Sequence, residues 1–223
     1  MKIGVLSDAH GNFHTLQKCF DVLVKQVNDI YYLGDFCGYF PDYVNVTAFL
    51  KNHGVKSVLG NHDQMLLGNS KIDVQKNEIY QLPKNINEVN RLTIDYLKNL
   101  PPYISLDYHE QKILFVHGSP TDYFNEYVFE NSNFNHWKDI PYNLILMGHT
   151  HRPYITHYKD KTFINVGSCG LPRDNGNMFS MAILDLEKKD YQIKRIKIDP
   201  KEILKKYPNV HSSVKNCLKR NNL

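Results

Sequence analysis

The sequence predicts a single α/β domain, and three features lead there. Five short apolar runs each end on a carboxylate, amide or imidazole, amphipathic segments separate the first three runs, and strand-like runs crowd the chain after Pro102. "KIGVLSDAHGN" sets Ile3, Val5 and Leu6 before Asp8 and His10. From Asn12, a residue type that caps helices, Phe13, Leu16, Phe20, Leu23, Val24 and Val27 recur at helical spacing. "IYYLGDFCGY" then puts Asp35 after Ile30 to Leu33, and Pro41 to His53 forms a second, less regular helical segment. "VKSVLGNHDQ" brings Asn61, His62 and Asp63 after Val58 and Leu59. A third helical pattern, Ile86, Val89, Leu92, Tyr96, Leu97 and Leu100, is stopped by Pro101 and Pro102. Strand alternating with helix predicts parallel pairing through right-handed crossovers. Strands are then expected near 103–107, 112–116, 143–147, 154–158, 162–166, 178–186 and 190–196, of which the second delivers His117 and the third the pair His149 and His151. Ligands of open α/β sheets bind beyond the carboxyl ends of the strands, where all five polar clusters fall.

Composition narrows the class. At 223 residues, with 42% hydrophobic and 22% charged residues, the chain has the make-up of an ordinary globular domain. No apolar run approaches the roughly 20 residues needed to span a bilayer. Asp8 and His10 arrive too early for a signal-peptide core, so an intracellular, cytoplasmic protein is expected. Cys19, Cys37, Cys169 and Cys217 show no CxxC spacing and read as reduced thiols. The net charge of +4 sits in the basic C-terminal tail, residues 200–223, which carries +5 and leaves residues 1–199 near neutrality. A near-neutral body is no nucleic-acid surface, nor is any membrane contact indicated.

The chemistry follows from donor types. Asp8, His10, Asp35, Asn61, His117, His149 and His151 offer oxygen and nitrogen but no sulfur. That set is too nitrogen-rich for calcium and suits a first-row divalent ion. Seven donors are too many for one tetrahedral ion and about right for two ions that share a carboxylate. Two metals roughly 3.5–4 Å apart can clamp both the attacking and the leaving oxygen of a phosphoryl transfer.

Taken in order, DAHGN, GDFCGY, GNHD, VHGS and GHTH resemble the calcineurin-like metallophosphoesterase superfamily. "GDFCGYFPD", "VHGSPTDYFNEYVF" and "NVGSCGLPRDNG" are similar to blocks of its small bacterial and archaeal phosphodiesterases, the branch related to diadenosine tetraphosphatases. The similarity spans about residues 1–186, with departures at Phe40, usually Gly, and Val166, usually Pro. It implies a four-layer α/β/β/α sandwich of two mixed sheets. It also implies two divalent transition-metal ions per chain, manganese foremost, with iron, zinc, nickel or cobalt as alternatives. Asp8, His10, Asp35 and His151 would hold one metal, and Asp35, Asn61, His117 and His149 the other, with Asp35 as the bridge. His62 would face the substrate phosphate as general acid and Asp63 would orient it. The reaction implied is in-line attack on phosphorus by a metal-activated hydroxide.

Plainer readings stand beside these. His62 can cap the turn after the third strand, and Asp63 can be a helix N-terminal carboxylate. Arg173 can bind a substrate phosphate through two N–H groups or pair with Asp174. Tyr123, Phe124, Tyr127, Phe129, Phe134 and Trp137 can stack on an organic group or form a satellite core. "LGNHDQ" lacks the arginine that the superfamily's protein phosphatases carry in that block, so a small phosphodiester or nucleotide-like substrate is expected. A nuclease, or a non-catalytic scaffold of the same fold, is the alternative; the scaffold would have lost ligands, and none of the seven is missing. The tail, helical and possessing apolar Ile203, Leu204, Val210 and Val214, reads as an appended packing element or a contact for homo-oligomers, removable after Asp199 without loss of turnover.

Overall fold

The computed structural model describes residues 1–83 and 86–221. Its first half alternates as the sequence predicts: β1 (Lys2–Leu6), α1 (Phe13–Leu23), β2 (Asp29–Tyr32), α2 (Tyr43–Asn52) and β3 (Lys56–Ser57). Asn12 caps α1 by accepting a hydrogen bond from the Thr15 amide, and Leu16, Cys19, Phe20 and Leu23 bury one face. The helix ends at Leu23, short of the predicted Val27, and Val24 points to solvent. Val58 and Leu59 lie just past β3: the Val58 amide still bonds Tyr32 O of β2, and the Leu59 amide turns away to Pro101 O.

Two short helices, α3 (Asn61–Leu66) and α4 (Val74–Tyr80), follow. The pattern over 86–100 resolves into a 3-10 turn at Ile86–Glu88 and α5 (Arg91–Lys98). Asn90 causes the split, since its side chain accepts from the Leu92 amide and starts a new helix, leaving Leu92 itself exposed. β4 (Tyr103–Tyr108), β5 (Gln111–Val116), β6 (Leu144–Met147), β7 (Tyr154–Tyr158), β8 (Lys161–Asn165), β9 (Met178–Asp185) and β10 (Asp190–Lys197) complete the strands, with α6 (Pro200–Lys206) and α7 (Ser212–Leu218) last.

These strands form two mixed five-stranded sheets, ordered β10-β9-β1-β2-β3 and β4-β5-β6-β8-β7. In the first, β1, β2 and β3 are parallel and β9 pairs antiparallel with both β1 and β10; in the second, β5, β6 and β8 are parallel. The sheets pack face to face through Ile3, Val5, Ile113, Leu144, Ile164 and Leu184, and Tyr31 stacks on Phe115 with centroids 4.0 Å apart. Strands buried on both faces read as unbroken apolar runs, which is why Leu144–Met147 shows no alternation.

The outer layers differ. The α-helices cover the first sheet, burying Leu16, Phe20, Leu50 and Leu97 in one cluster. The second sheet is covered by Val128, Phe134 and Trp137 from the 123–142 segment, whose only helix among the described residues is a 3-10 turn, Phe134–Trp137. Residues 200–221 join the first layer: Ile203, Val210, Val214 and Leu218 are buried in the same cluster as Leu16. Asp199 is thus the N-cap of α6, its carboxylate accepting from the Lys201 amide, and no packing boundary falls there. Among the described residues no helix is long and apolar enough to cross a membrane.

Candidate metal centre

Five loops at the carboxyl ends of β1, β2, β3, β5 and β6 meet at one edge of the sheet pair. Hydrogen bonds between loops lock them: the Asp8 amide donates to Gly34 O at 3.1 Å, the His10 amide to Asp35 O at 2.9 Å and the Gly148 amide to His117 O at 3.0 Å. Asp8, His10, Asp35, Tyr39, His149 and His151 all have left-handed backbone, with φ between +51° and +66°. Non-glycine residues seldom adopt it, and such strain gathers at functional sites. Close approach sets the glycines: a Cβ on Gly60 would collide with Asp35 Oδ1, and one on Gly148 with Ser7 Oγ.

Each histidine is aimed by a backbone carbonyl. Nδ1 of His10, His117 and His151 bonds Cys37 O (2.9 Å), Leu33 O (2.7 Å) and Leu171 O (2.6 Å); in His149 the roles reverse, with Nε2 on Asn125 O at 3.1 Å. A carbonyl only accepts, so each bonded nitrogen must donate, and the other ring nitrogen offers a lone pair to the centre. These inward nitrogens face one another, His10 Nε2 to His151 Nε2 at 3.0 Å and His117 Nε2 to His149 Nδ1 at 3.2 Å. Two lone pairs so close repel unless a proton or cation is shared between them. Asp8 Oδ2 accepts from Ser7 Oγ and the His149 amide, while the buried Oδ1 has no hydrogen-bond partner and lies 3.2 Å from His151 Nε2. An unpartnered buried carboxylate oxygen among imidazole nitrogens fits a divalent cation.

Asp35 occupies the middle. Its Oδ2 stands 3.4 Å from both His10 Nε2 and His117 Nε2, and its Oδ1 accepts from the His62 amide at 2.8 Å. Asn61 Oδ1 lies 3.0 Å from His117 Nε2. Asp8, His10 and His151 form one compact group able to hold a metal ion, Asp35, His117 and His149 another, and His10, Asp35 and His62 a third that overlaps both. All seven predicted donors are therefore together, and all are buried.

Burial opposes the charge on Asp8 and Asp35, yet nearby imidazoles, His151 for Asp8 and His117 for Asp35, hold both carboxyls well below the usual range. Burial likewise keeps His10 and His151 neutral and lowers His149 to about 3. His117 is the exception: burial would lower it too, but the Asp35 carboxylate raises it to about 9.

Of the other predicted residues, His62 lies close enough to His10 and Asp35 to share a candidate metal group with them. His62 is the second residue of α3, and its ring packs edge-on to His10 at 4.7 Å, with Tyr80 at 4.4 Å and Tyr39 at 5.2 Å. Its Nδ1 is buried without a hydrogen-bond partner. Asp63 makes no hydrogen bond to that ring among the described residues. Its carboxylate accepts from the amides of Gly60 (2.9 Å), Asp35 (2.8 Å) and Phe36 (2.9 Å) and from Cys37 Sγ. It thereby fastens the start of α3 to the Asp35 loop, so the helix N-terminal reading is the one its contacts follow. The Arg173 guanidinium donates to Tyr39 Oη at 2.9 Å; the Asp174 carboxylate pairs with Arg195 instead. Of the aromatics, Phe134 and Trp137 are core, whereas Tyr127 stacks on His149 at 3.8 Å and, like Phe129, is exposed (48% and 40%).

Tyr39 and Tyr80, which flank His62, escaped the sequence reading. Tyr39 lies inside the quoted "GDFCGY", where the motif itself was a signal; Tyr80 sits on α4, and nothing around it in the sequence marks it.

A fold of two mixed sheets with buried histidines and carboxylates at their shared edge defines a metallophosphoesterase. Residues 1–189 match the calcineurin-like phosphoesterase superfamily domain, and the chain belongs to that superfamily. It is a phosphoester hydrolase of a metal-dependent family. An uncharacterized protein of Methanocaldococcus jannaschii is 28% identical over 239 aligned positions, covering 97% of this chain and 93% of that one. A phosphodiesterase of the same archaeon is 26% identical over 200 positions, covering 86% and 97%. A metallophosphoesterase from Sphaerobacter thermophilus shares the fold, with TM-score 0.80 and 23% identity over 98% of each chain.

Proposed function

We propose that the chain is a dinuclear phosphodiesterase, cytoplasmic, acting on a small phosphodiester or nucleotide-like molecule. One observation carries this: Asp35 Oδ2 is equidistant, at 3.4 Å, from a histidine of each donor group. Asp8, His10, Asp35 and His151 would hold one divalent ion, and Asp35, Asn61, His117 and His149 the other; manganese leads the candidates. Such ions supply a nucleophile at neutral pH and offset charge on the reacting phosphoryl oxygens.

The remaining chemistry falls to the chain's own groups. His62, held between Tyr39 and Tyr80 beside His10, is placed to protonate the leaving oxygen. Burial lowers its pKa to about 4, and the negative charge of a bound phosphodiester acts in the opposite sense. Arg173 keeps N–H groups beyond the one on Tyr39, and these suit two phosphate oxygens. The exposed rings of Tyr127, stacked on His149, and of Phe129, nearly parallel to Tyr127, supply a surface for an aryl group or base.

Purified protein loaded with Mn²⁺ should hold two ions per chain, hydrolyse bis-p-nitrophenyl phosphate and lose that activity on chelation. Full activity after EDTA dialysis, with no metal found by elemental analysis, would end the dinuclear reading. Preference for long single-stranded DNA, weakening steeply with salt, would favour a nuclease instead.

A further inference from the structure

The loop that carries Arg173 is gripped from two sides. On the side of the metal centre, the Arg173 amide donates to His151 O at 3.2 Å, and Leu171 O accepts from His151 Nδ1. On the other side stands the segment after Asp199. Arg220 Nη1 donates to Arg173 O at 2.9 Å, Cys217 Sγ to Pro172 O at 3.2 Å, and the Gly176 amide to Arg220 O at 2.8 Å. Asn175 and Asn221 add an antiparallel bridge. Gly176 allows this approach because a Cβ there would strike the carbonyl of Cys217. The backbone of Arg173 is therefore pinned at its N–H by a donor-group histidine and at its C=O by Arg220, and its guanidinium is steadied by Tyr39.

We infer that residues 200–221 brace the active site by fixing the loop of Arg173, with Arg220 as a positioning residue for substrate-phosphate binding. This rests on the reading of Arg173 as a phosphate-binding group. A long side chain on a free loop must be ordered each time substrate binds; on a braced loop most of that ordering is already done. The brace also gives a role to a basic segment that sequence alone reads as dispensable. Its apolar residues Ile203, Val214 and Leu218 anchor it to the core, and its last turn reaches the loop.

The test compares Arg220→Ala, Arg220→Lys, Arg173→Ala and the double variant Arg173→Ala/Arg220→Ala in the full chain. Metal content and melting temperature are followed beside the kinetics on bis-p-nitrophenyl phosphate. Arg220→Ala should raise KM about threefold to tenfold, the range for one lost hydrogen bond, with kcat and metal content nearly unchanged. Arg220→Lys, which keeps a donor, should recover most of the loss. Arg173→Ala should raise KM at least as far, and adding Arg220→Ala to it should change nothing more. A chain ending at Lys219 keeps the buried residues of α6 and α7 but also loses the Gly176 and Asn221 contacts, so it should raise KM at least as far as Arg220→Ala. If Arg173→Ala raises KM while Arg220→Ala and the shortened chain behave as the parent, the brace is refuted and the phosphate-binding reading survives. An Arg220→Ala effect that persists undiminished without Arg173 likewise refutes it. If Arg173→Ala leaves KM at the parent value, the phosphate-binding reading falls and takes the brace with it.

Discussion

Asp35 and His62 are adjacent in space and joined by a hydrogen bond from the His62 amide, yet their side chains face different tasks. Asp35 Oδ2 points between the two donor groups, whereas the His62 ring borders them beside His10 and packs against Tyr39 and Tyr80. Asp35→Asn should therefore strip metal from both groups, because a neutral amide replaces the one charged oxygen common to both. His62→Ala should keep both ions and lower kcat by roughly 10²-fold or more, the usual contribution of a general acid. Elemental analysis beside turnover separates the two; metal loss in His62→Ala with retention in Asp35→Asn would reverse the roles.

Among the elements, the β3–α3 turn matters out of proportion to its length. β3 has two residues and α3 six, but Gly60, Asn61, His62 and Asp63 between them contact the Asp35 loop and His117. Gly60 sits where its backbone touches Asp35, so Gly60→Ala should push that carboxylate aside. Metal affinity is expected to fall about 10-fold to 100-fold, the range for a disturbed ligand support. Isothermal titration with Mn²⁺ measures it, and an affinity equal to the parent's would show that the turn has room to shift. Helix signals were legible in α1 and α2 because each buries an apolar stripe, Leu16, Cys19, Phe20 and Leu23 in α1 and Val46 and Leu50 in α2. α3 and α4 lack that stripe, since α3 buries polar Asn61, His62 and Asp63 and α4 buries no residue fully, so periodicity passed over them.

At the scale of the whole molecule, the metal centre stores buried neutral imidazoles in the metal-free protein. His62 and His149, lowered to about 4 and about 3, stay unprotonated in the folded state while the unfolded chain takes up protons near 6.5. The stability they contribute is thus complete above about pH 6.5 and drains away as pH falls toward those lowered values. His117, raised to about 9, acts in the reverse direction, contributing below about pH 6.5 and losing its share as pH rises toward 9. Burial also lowers His10 and His151. These four depressed imidazoles outweigh Asp63, which burial raises to about 7 and which stabilises the fold as pH falls toward 4. The melting temperature in EDTA should therefore fall from pH 7 to pH 4.5. A flat profile over that range would mean that the buried rings protonate freely in the native state.

The sequence by itself determined the donor types, their order and their place at strand ends. Those follow from local polarity: an apolar run that stops on Asp8, Asp35, Asn61, His117 or His149 marks a strand and a candidate donor together. It also carried the family resemblance, and with it the two-sheet architecture that periodicity alone did not show. The resemblance also implied how the donors group, but no local pattern did, and it is the tertiary structure that brings each group together. His10 meets His151 across 141 positions and His117 meets Asn61 across 56, through the stacking of two sheets that no local pattern encodes. The same holds for Asp63, whose carboxylate chose four donors on neighbouring loops over the His62 ring beside it in sequence. It holds too for residues 200–221, where a run of lysines around a few apolar residues looks like an exposed appendage. The burial of Ile203, Val210, Val214 and Leu218 accompanies contacts of this segment with α1, with Phe40 and Asp42 and with the Arg173 loop. Those partners come together only after the chain has folded.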